Sequence, residues 1–181
     1  QTETYAALRL EIENWRWAGV PFYIRTGKRL AKRVTEITIQ FKQPPLLLFK
    51  DHEGEADAGI KPNLISMRIQ PDEGISLRFG AKVPGAGMNI SPVNMDFSYA
   101  QAFGKSSANG YERLLLDAML GDATLFAHRD GVEATWALMT PILQAWAKDP
   151  VKDFPNYAAG TWGPPAADAL LESENRKWRK L

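Results

Sequence analysis

Residues 63–82 alternate apolar and polar side chains in two consecutive runs, and a period of two over that length points to a β-hairpin. In the first run Ile65, Met67 and Ile69 share one face, and Ser66, Arg68 and Gln70 the other. Pro71-Asp72-Glu73-Gly74 has the residue types of a tight turn. In the second run Ile75, Leu77, Phe79 and Ala81 oppose Ser76, Arg78 and Lys82, and Pro84-Gly85 ends it. The same alternation recurs upstream. Phe22 and Ile24 oppose Tyr23 and Arg25; Ile37, Ile39 and Phe41 oppose Thr38 and Gln40. Residues 5–12 read as a strand, although Leu8, Ile12 and Trp15 also fit one helix face; Gly19 and Pro21 stop the turn that follows. Residues 42–62 have little period and read as a loop. Met95, Phe97 and Tyr99 predict one more strand.

The last third is helical. Residues 112–120 form a short apolar segment closed by Gly121. Val132, Trp136, Met139, Leu143 and Trp146 repeat at helical spacing, so one side of that helix is expected to be buried. Asp130 is the expected N-cap, and Pro141 is expected to kink the helix. Pro164-Pro165 opens a final helix expected to end in the basic tail 176–180. Strands first and helices later predict an α+β fold, with a large, mainly antiparallel sheet and helices packed on one face. The helices are expected on the apolar face, which leaves the mixed face (Thr38, Gln40, Ser66, Arg68, Ser76, Arg78) for a two-fold interface.

Composition removes several chemistries. Cysteine is absent, so disulfides, thiol catalysis and thiolate metal sites are excluded. Two histidines, His52 and His128, cannot make a histidine-rich metal site, and no metal is expected. The net charge of +1 supplies no field for nucleic acid or an anionic membrane. No apolar run reaches the length of a transmembrane helix. The chain begins without Met or a leader pattern, and reads as a piece of a longer protein.

The basic connector 26–33 is the best candidate for chemistry. Gly27 lets a backbone approach closely, and Lys28 and Arg33 supply charge suited to a phosphate monoester. The alternative, a solvated basic loop, is the commoner fate of such a segment, and the glycine spacing is not that of a nucleotide-binding P-loop. Arg68, Gln70, Arg78 and Lys82 share the polar face of the hairpin, suited to a polyol or a phosphate, or simply to water. His52 and His128 have no partner constellation nearby and are assigned no catalytic role.

Several stretches together carry a resemblance: Glu13 to Phe22 (ENWRWAGVPF), Arg25-Thr26-Gly27-Lys28, Arg68 to Gly74 (RIQPDEG), Lys82-Val83-Pro84-Gly85, Tyr111 to Leu115 (YERLL), Gly121-Asp122, and Gly160-Thr161-Trp162-Gly163-Pro164. Their order and spread over nearly the whole chain resemble the C-terminal domain of the glucose-6-phosphate dehydrogenases. The resemblance implies an NADP-dependent oxidation of glucose 6-phosphate to 6-phosphogluconolactone in the pentose phosphate pathway. It implies that residues 1–181 are the substrate-binding and dimerisation domain of a cytoplasmic homodimer or higher homo-oligomer. It also implies that NADP is bound mainly by an N-terminal Rossmann domain outside this sequence, where the general-base histidine would lie as well. The chain by itself is then expected to be inactive and to contain no catalytic residue.

By the family pattern Lys28, Arg33 and Gln70 contact the substrate. Some members hold a second, structural NADP; Arg68, Arg78 and Asp96 match part of that site. Val34, Thr38 and Ser76 stand where those members carry basic or aromatic residues, so the second site is not expected here. Phe126 to Val132 also departs from the family, with His128 in place of an arginine and Gly131 in place of a glutamate. The competing reading is a non-catalytic phosphosugar-binding or structural dimerisation module.

Overall fold

The computed structural model describes residues 2–43, 61–85, 89–104, 110–179 and 181. His52 and most of the predicted loop 42–62 lie outside the described residues. The chain divides into two units, residues 1–32 with 108–181, and residues 33–107.

In the first unit, β1 (Tyr5–Leu10) and β2 (Phe22–Gly27) pair antiparallel as a two-stranded sheet. The turn between them is organised by Asn14, whose side-chain oxygen accepts hydrogen bonds from the N–H groups of Arg16 and Trp17 at 3.1 and 2.9 Å. Three helices follow among the described residues of this unit. The helix α2 (Gly110–Leu120) stops at Gly121, which takes the left-handed conformation (φ 73°) that glycine adopts without penalty. The helix α3 spans Arg129–Lys148 and continues through Pro141. The helix α4 (Pro165–Glu172) packs against β1 and buries Ala167 and Leu171.

Three expectations are corrected here. Asp130 does not cap α3: His128 holds the N-cap position, and Asp130 sits in the first turn, where its charge still complements the helix dipole. The predicted stripe of α3 is half-buried at Met139, Leu143 and Trp146, whereas Val132 and Trp136 are exposed. Residues 176–179 of the basic tail are not helical. The tail runs back over the β1–β2 hairpin instead: Glu174 receives hydrogen bonds from Arg9 and Tyr23, and Arg176 lies over the Tyr23 ring.

The second unit is an antiparallel meander of β3 (Thr35–Gln40), β4 (Leu64–Gln70), β5 (Gly74–Lys82) and β6 (Ile90–Ser98), in that order, with the short α1 (Tyr99–Phe103) packed on β6. The predicted hairpin is β4–β5, with Ser66 opposite Ser76 and Ile65 opposite Leu77. Pro92 is tolerated in β6 because that strand is an edge of the sheet. The class is α+β and antiparallel, as expected, but the strands form two hydrogen-bonded sheets.

The faces behave differently from expectation. On the mixed face Ser66 is fully buried, whereas Ile37, Ile39, Ile69, Ile75, Met95 and Phe97 of the apolar face are exposed. The helices α2 and α3, which were expected on the apolar face, belong to the other unit.

Candidate functional site

Lys28 is the first residue beyond β2, and its side chain is exposed. Its position is built from a close approach. Gly27 pairs with Tyr5, and a Cβ on Gly27 would lie 2.6 Å from the Tyr5 ring and 3.0 Å from Leu30. The absent side chain thus lets the tyrosine ring lie flush under the strand end. Beyond it, the Lys28 N–H donates to the Thr4 carbonyl at 2.8 Å. The Lys28 carbonyl accepts from the Tyr157 hydroxyl at 3.0 Å.

The next residues are held as well. Arg29 adopts φ 53°, an uncommon conformation for a residue with a side chain, and its carbonyl accepts the Gly160 N–H at 2.9 Å. The Ala31 N–H donates to the Thr161 carbonyl at 3.1 Å. The backbone of 28–31 is fixed at four points, while among the described residues no carboxylate pairs with the Lys28 ammonium. An exposed, unpaired ammonium on a held backbone can meet a phosphate dianion at little cost in desolvation.

Arg25, in the same motif, has a different fate. Its guanidinium lies between the rings of Trp162 and Trp178, 5.0 and 4.7 Å from their centroids, and donates to the Arg179 carbonyl at 3.3 Å. Beside it is an open cavity of about 260 Å³, where Asp168 and Glu172 line the wall together with Arg25, Lys177 and Arg179. Mixed charge of that kind gives no single-sign field for an anion. The tail is tied down further by Trp178, whose indole N–H donates to the Ala167 carbonyl at 2.8 Å. Hydrogen bonding from Tyr23 above all, and from Arg9, holds the Glu174 carboxyl below its ordinary pKa; burial first, and Glu174 second, push the Tyr23 phenol up.

Arg33 and Gln70 belong to the second unit. Gln70 ends β4 and pairs with Thr35, so Gln70 and Arg33, two residues before Thr35, lie at the same end of the β3–β4 pair. Both are exposed. The structure thus brings Arg33 and Gln70 to one strand end and places Lys28 in the other unit.

Arg68 is committed to its own sheet. It donates to the carbonyls of Asp72 and Phe97 at 3.3 and 3.4 Å and lies 3.7 Å from the Asp96 carboxylate. A Cβ on Gly74 would meet this guanidinium at 2.5 Å, so glycine makes room for it. Two of the five guanidinium N–H groups are engaged by protein carbonyls. All strand pairs among the described residues are antiparallel, so no parallel βαβ unit occurs among them. His128 is exposed, with Nδ1 3.5 Å from the Asp130 carboxylate. No cluster of metal-ligating side chains occurs among the described residues, and none of their helices is long and apolar enough to cross a membrane.

Sequence reasoning missed Tyr157. Its role is a bond to a backbone, which leaves no periodic signal. Only the neighbouring stretch Gly160 to Pro164 stood out, and only by resemblance.

The model of the family described as glucose-6-phosphate dehydrogenase, C-terminal domain, matches residues 1–179. The chain is 56% identical over 179 residues to a glucose-6-phosphate 1-dehydrogenase of Aggregatibacter actinomycetemcomitans, covering 99% of this chain and 34% of that protein. It is 50% identical over 181 residues to the enzyme of that name from Chlamydia pneumoniae, covering 100% of this chain and 35% of the relative. Among solved structures, a glucose-6-phosphate dehydrogenase in complex with its substrate glucose 6-phosphate superposes with a TM-score of 0.81 at 32% identity, covering 98% of this chain and 35% of that one. The Mycobacterium avium glucose-6-phosphate 1-dehydrogenase gives 0.78 at 38% identity, covering 99% and 36%. The chain spans about a third of the length of these relatives.

Proposed function

The chain belongs to the glucose-6-phosphate dehydrogenase C-terminal domain family, and from that membership we propose that it is the sugar-phosphate-holding part of an NADP-dependent glucose-6-phosphate 1-dehydrogenase. The enzyme oxidises the C1 hydroxyl of glucose 6-phosphate to give 6-phosphogluconolactone, the entry to the pentose phosphate pathway. Lys28 holds the substrate phosphate; Arg33 and Gln70 are further substrate contacts. The observation that carries the reading is the Lys28 ammonium, exposed and without a carboxylate partner among the described residues, on a backbone held at four points.

NADP, when bound, accepts the hydride; its binding and the general base are assigned to the rest of the enzyme. The part played by this chain is electrostatic and positional. Lys28 neutralises phosphate charge, and the neutral amide of Gln70 orients the sugar phosphate by hydrogen bonding. The enzyme works as a cytoplasmic homodimer or higher homo-oligomer, with the four-stranded sheet as the associating surface. Its exposed isoleucines, Met95 and Phe97 support a covered surface there. The test is turnover by the intact protein that carries this chain. NADP reduction that depends on glucose 6-phosphate supports the reading; a folded protein without it contradicts the reading.

A further inference from the structure

We propose that Tyr157 is a positioning residue for Lys28, acting through the lysine's backbone carbonyl. The proposal rests on Lys28 being the phosphate contact of the reading above. A strand end normally releases its backbone groups to water, and Lys28 lies one residue past the end of β2. Here neither group is released: the N–H goes to Thr4, and the carbonyl takes the Tyr157 hydroxyl at 3.0 Å. The same hydroxyl lies 3.0 Å from the Thr4 carbonyl. A phenol has one proton to donate, so that proton is shared between the two carbonyls, and Tyr157 ties the Lys28 peptide to the start of β1.

The tyrosine is itself held in place. Its ring packs on Tyr5, with centroids 5.5 Å apart and planes at 59°, and Tyr5 fills the space under Gly27. Three residues later Gly160 takes the Arg29 carbonyl, so segment 157–161 grips the connector from one side. The Lys28 stem has several rotatable bonds, and a loose backbone would multiply the positions its ammonium samples. Fixing the backbone narrows them to those within reach of one bound phosphate. The phenylalanine variant keeps the ring and its packing on Tyr5, so it removes the hydroxyl alone.

The test uses the intact enzyme and a double-substitution cycle. In Tyr157→Phe the KM for glucose 6-phosphate rises about three- to tenfold, the size of one lost hydrogen bond. Its kcat and its KM for NADP stay within about twofold of wild type, a split that general loosening of the fold would not give. In a Lys28→Ala background the same substitution adds nothing further. A wild-type KM in Tyr157→Phe, with Lys28→Ala raised, overturns the positioning role and leaves the Lys28 reading standing. Equal rises on both backgrounds also overturn it, since Tyr157 would then act by another route. An unchanged KM in Lys28→Ala removes the reading underneath, and the proposal with it.

Discussion

Gly27 and Tyr5 face each other across the β1–β2 pair, and the tyrosine ring fills the space that a side chain on Gly27 would need. The same ring lies against Gly163, where an added Cβ would also collide with it. Gly163 stands at φ 113°, so glycine is required there by conformation as well as by space. One aromatic ring therefore joins the Lys28 strand end to the Gly160–Pro164 segment, two stretches more than 130 residues apart.

Gly27→Ala tests the closeness of that packing. The new methyl displaces the Tyr5 ring or Leu30, and overpacking of this kind costs about 1–3 kcal/mol. The protein unfolds at lower temperature, and the KM for glucose 6-phosphate rises because the residue after Gly27 is Lys28. A variant with unchanged thermal unfolding and unchanged KM would mean that Tyr5 moves aside freely.

Glu174 gives a pH-dependent test of the tail's attachment. Its carboxyl is held below the ordinary value of 4.5 in the folded chain, chiefly by the Tyr23 hydroxyl. The folded state therefore binds the proton less readily than the unfolded one, so the contribution is complete above the ordinary value and is lost as pH falls through the lowered one. Thermal unfolding followed from neutral to acid pH should show a steeper loss in the wild type than in Glu174→Gln. Parallel curves would show that the Tyr23–Glu174 bond adds nothing.

Association is tested by mass. Sedimentation of the intact enzyme at micromolar concentration should give at least twice the mass of one chain, as expected for a closed homo-oligomer. A single-chain mass contradicts the proposed assembly.

The β4–β5 hairpin was legible because two independent signals agreed, alternation over both strands and a turn sequence between them. The helix α1 was not read, because Tyr99 continues the alternation of Met95 and Phe97. A local signal was present nonetheless: Ser98 and Gln101 have capping-box spacing, and Ser98 accepts the Gln101 N–H. At α3 the expected cap, Asp130, yielded to His128, two residues earlier, because the helix begins before its apolar stripe does. Lys28 was legible as a charge beside a glycine. The bracket around it was not, because Thr4, Tyr157, Gly160 and Thr161 act through backbone groups and over long separations. The apolar face was legible as a face, but period-two patterning does not say what covers it.

The central claim is that Lys28 carries phosphate recognition, and steady-state kinetics of Lys28→Ala in the intact enzyme tests it most directly. A lysine–phosphate contact is charge-assisted, so its loss costs about 1.5–3 kcal/mol, or roughly ten- to more than a hundredfold in affinity. The account predicts a KM for glucose 6-phosphate raised by that factor, a much smaller change in the KM for NADP, and a weaker effect from Gln70→Ala, whose hydrogen bond is neutral. A Lys28→Ala enzyme with wild-type KM for glucose 6-phosphate would contradict it and return residues 26–33 to the status of a solvated loop.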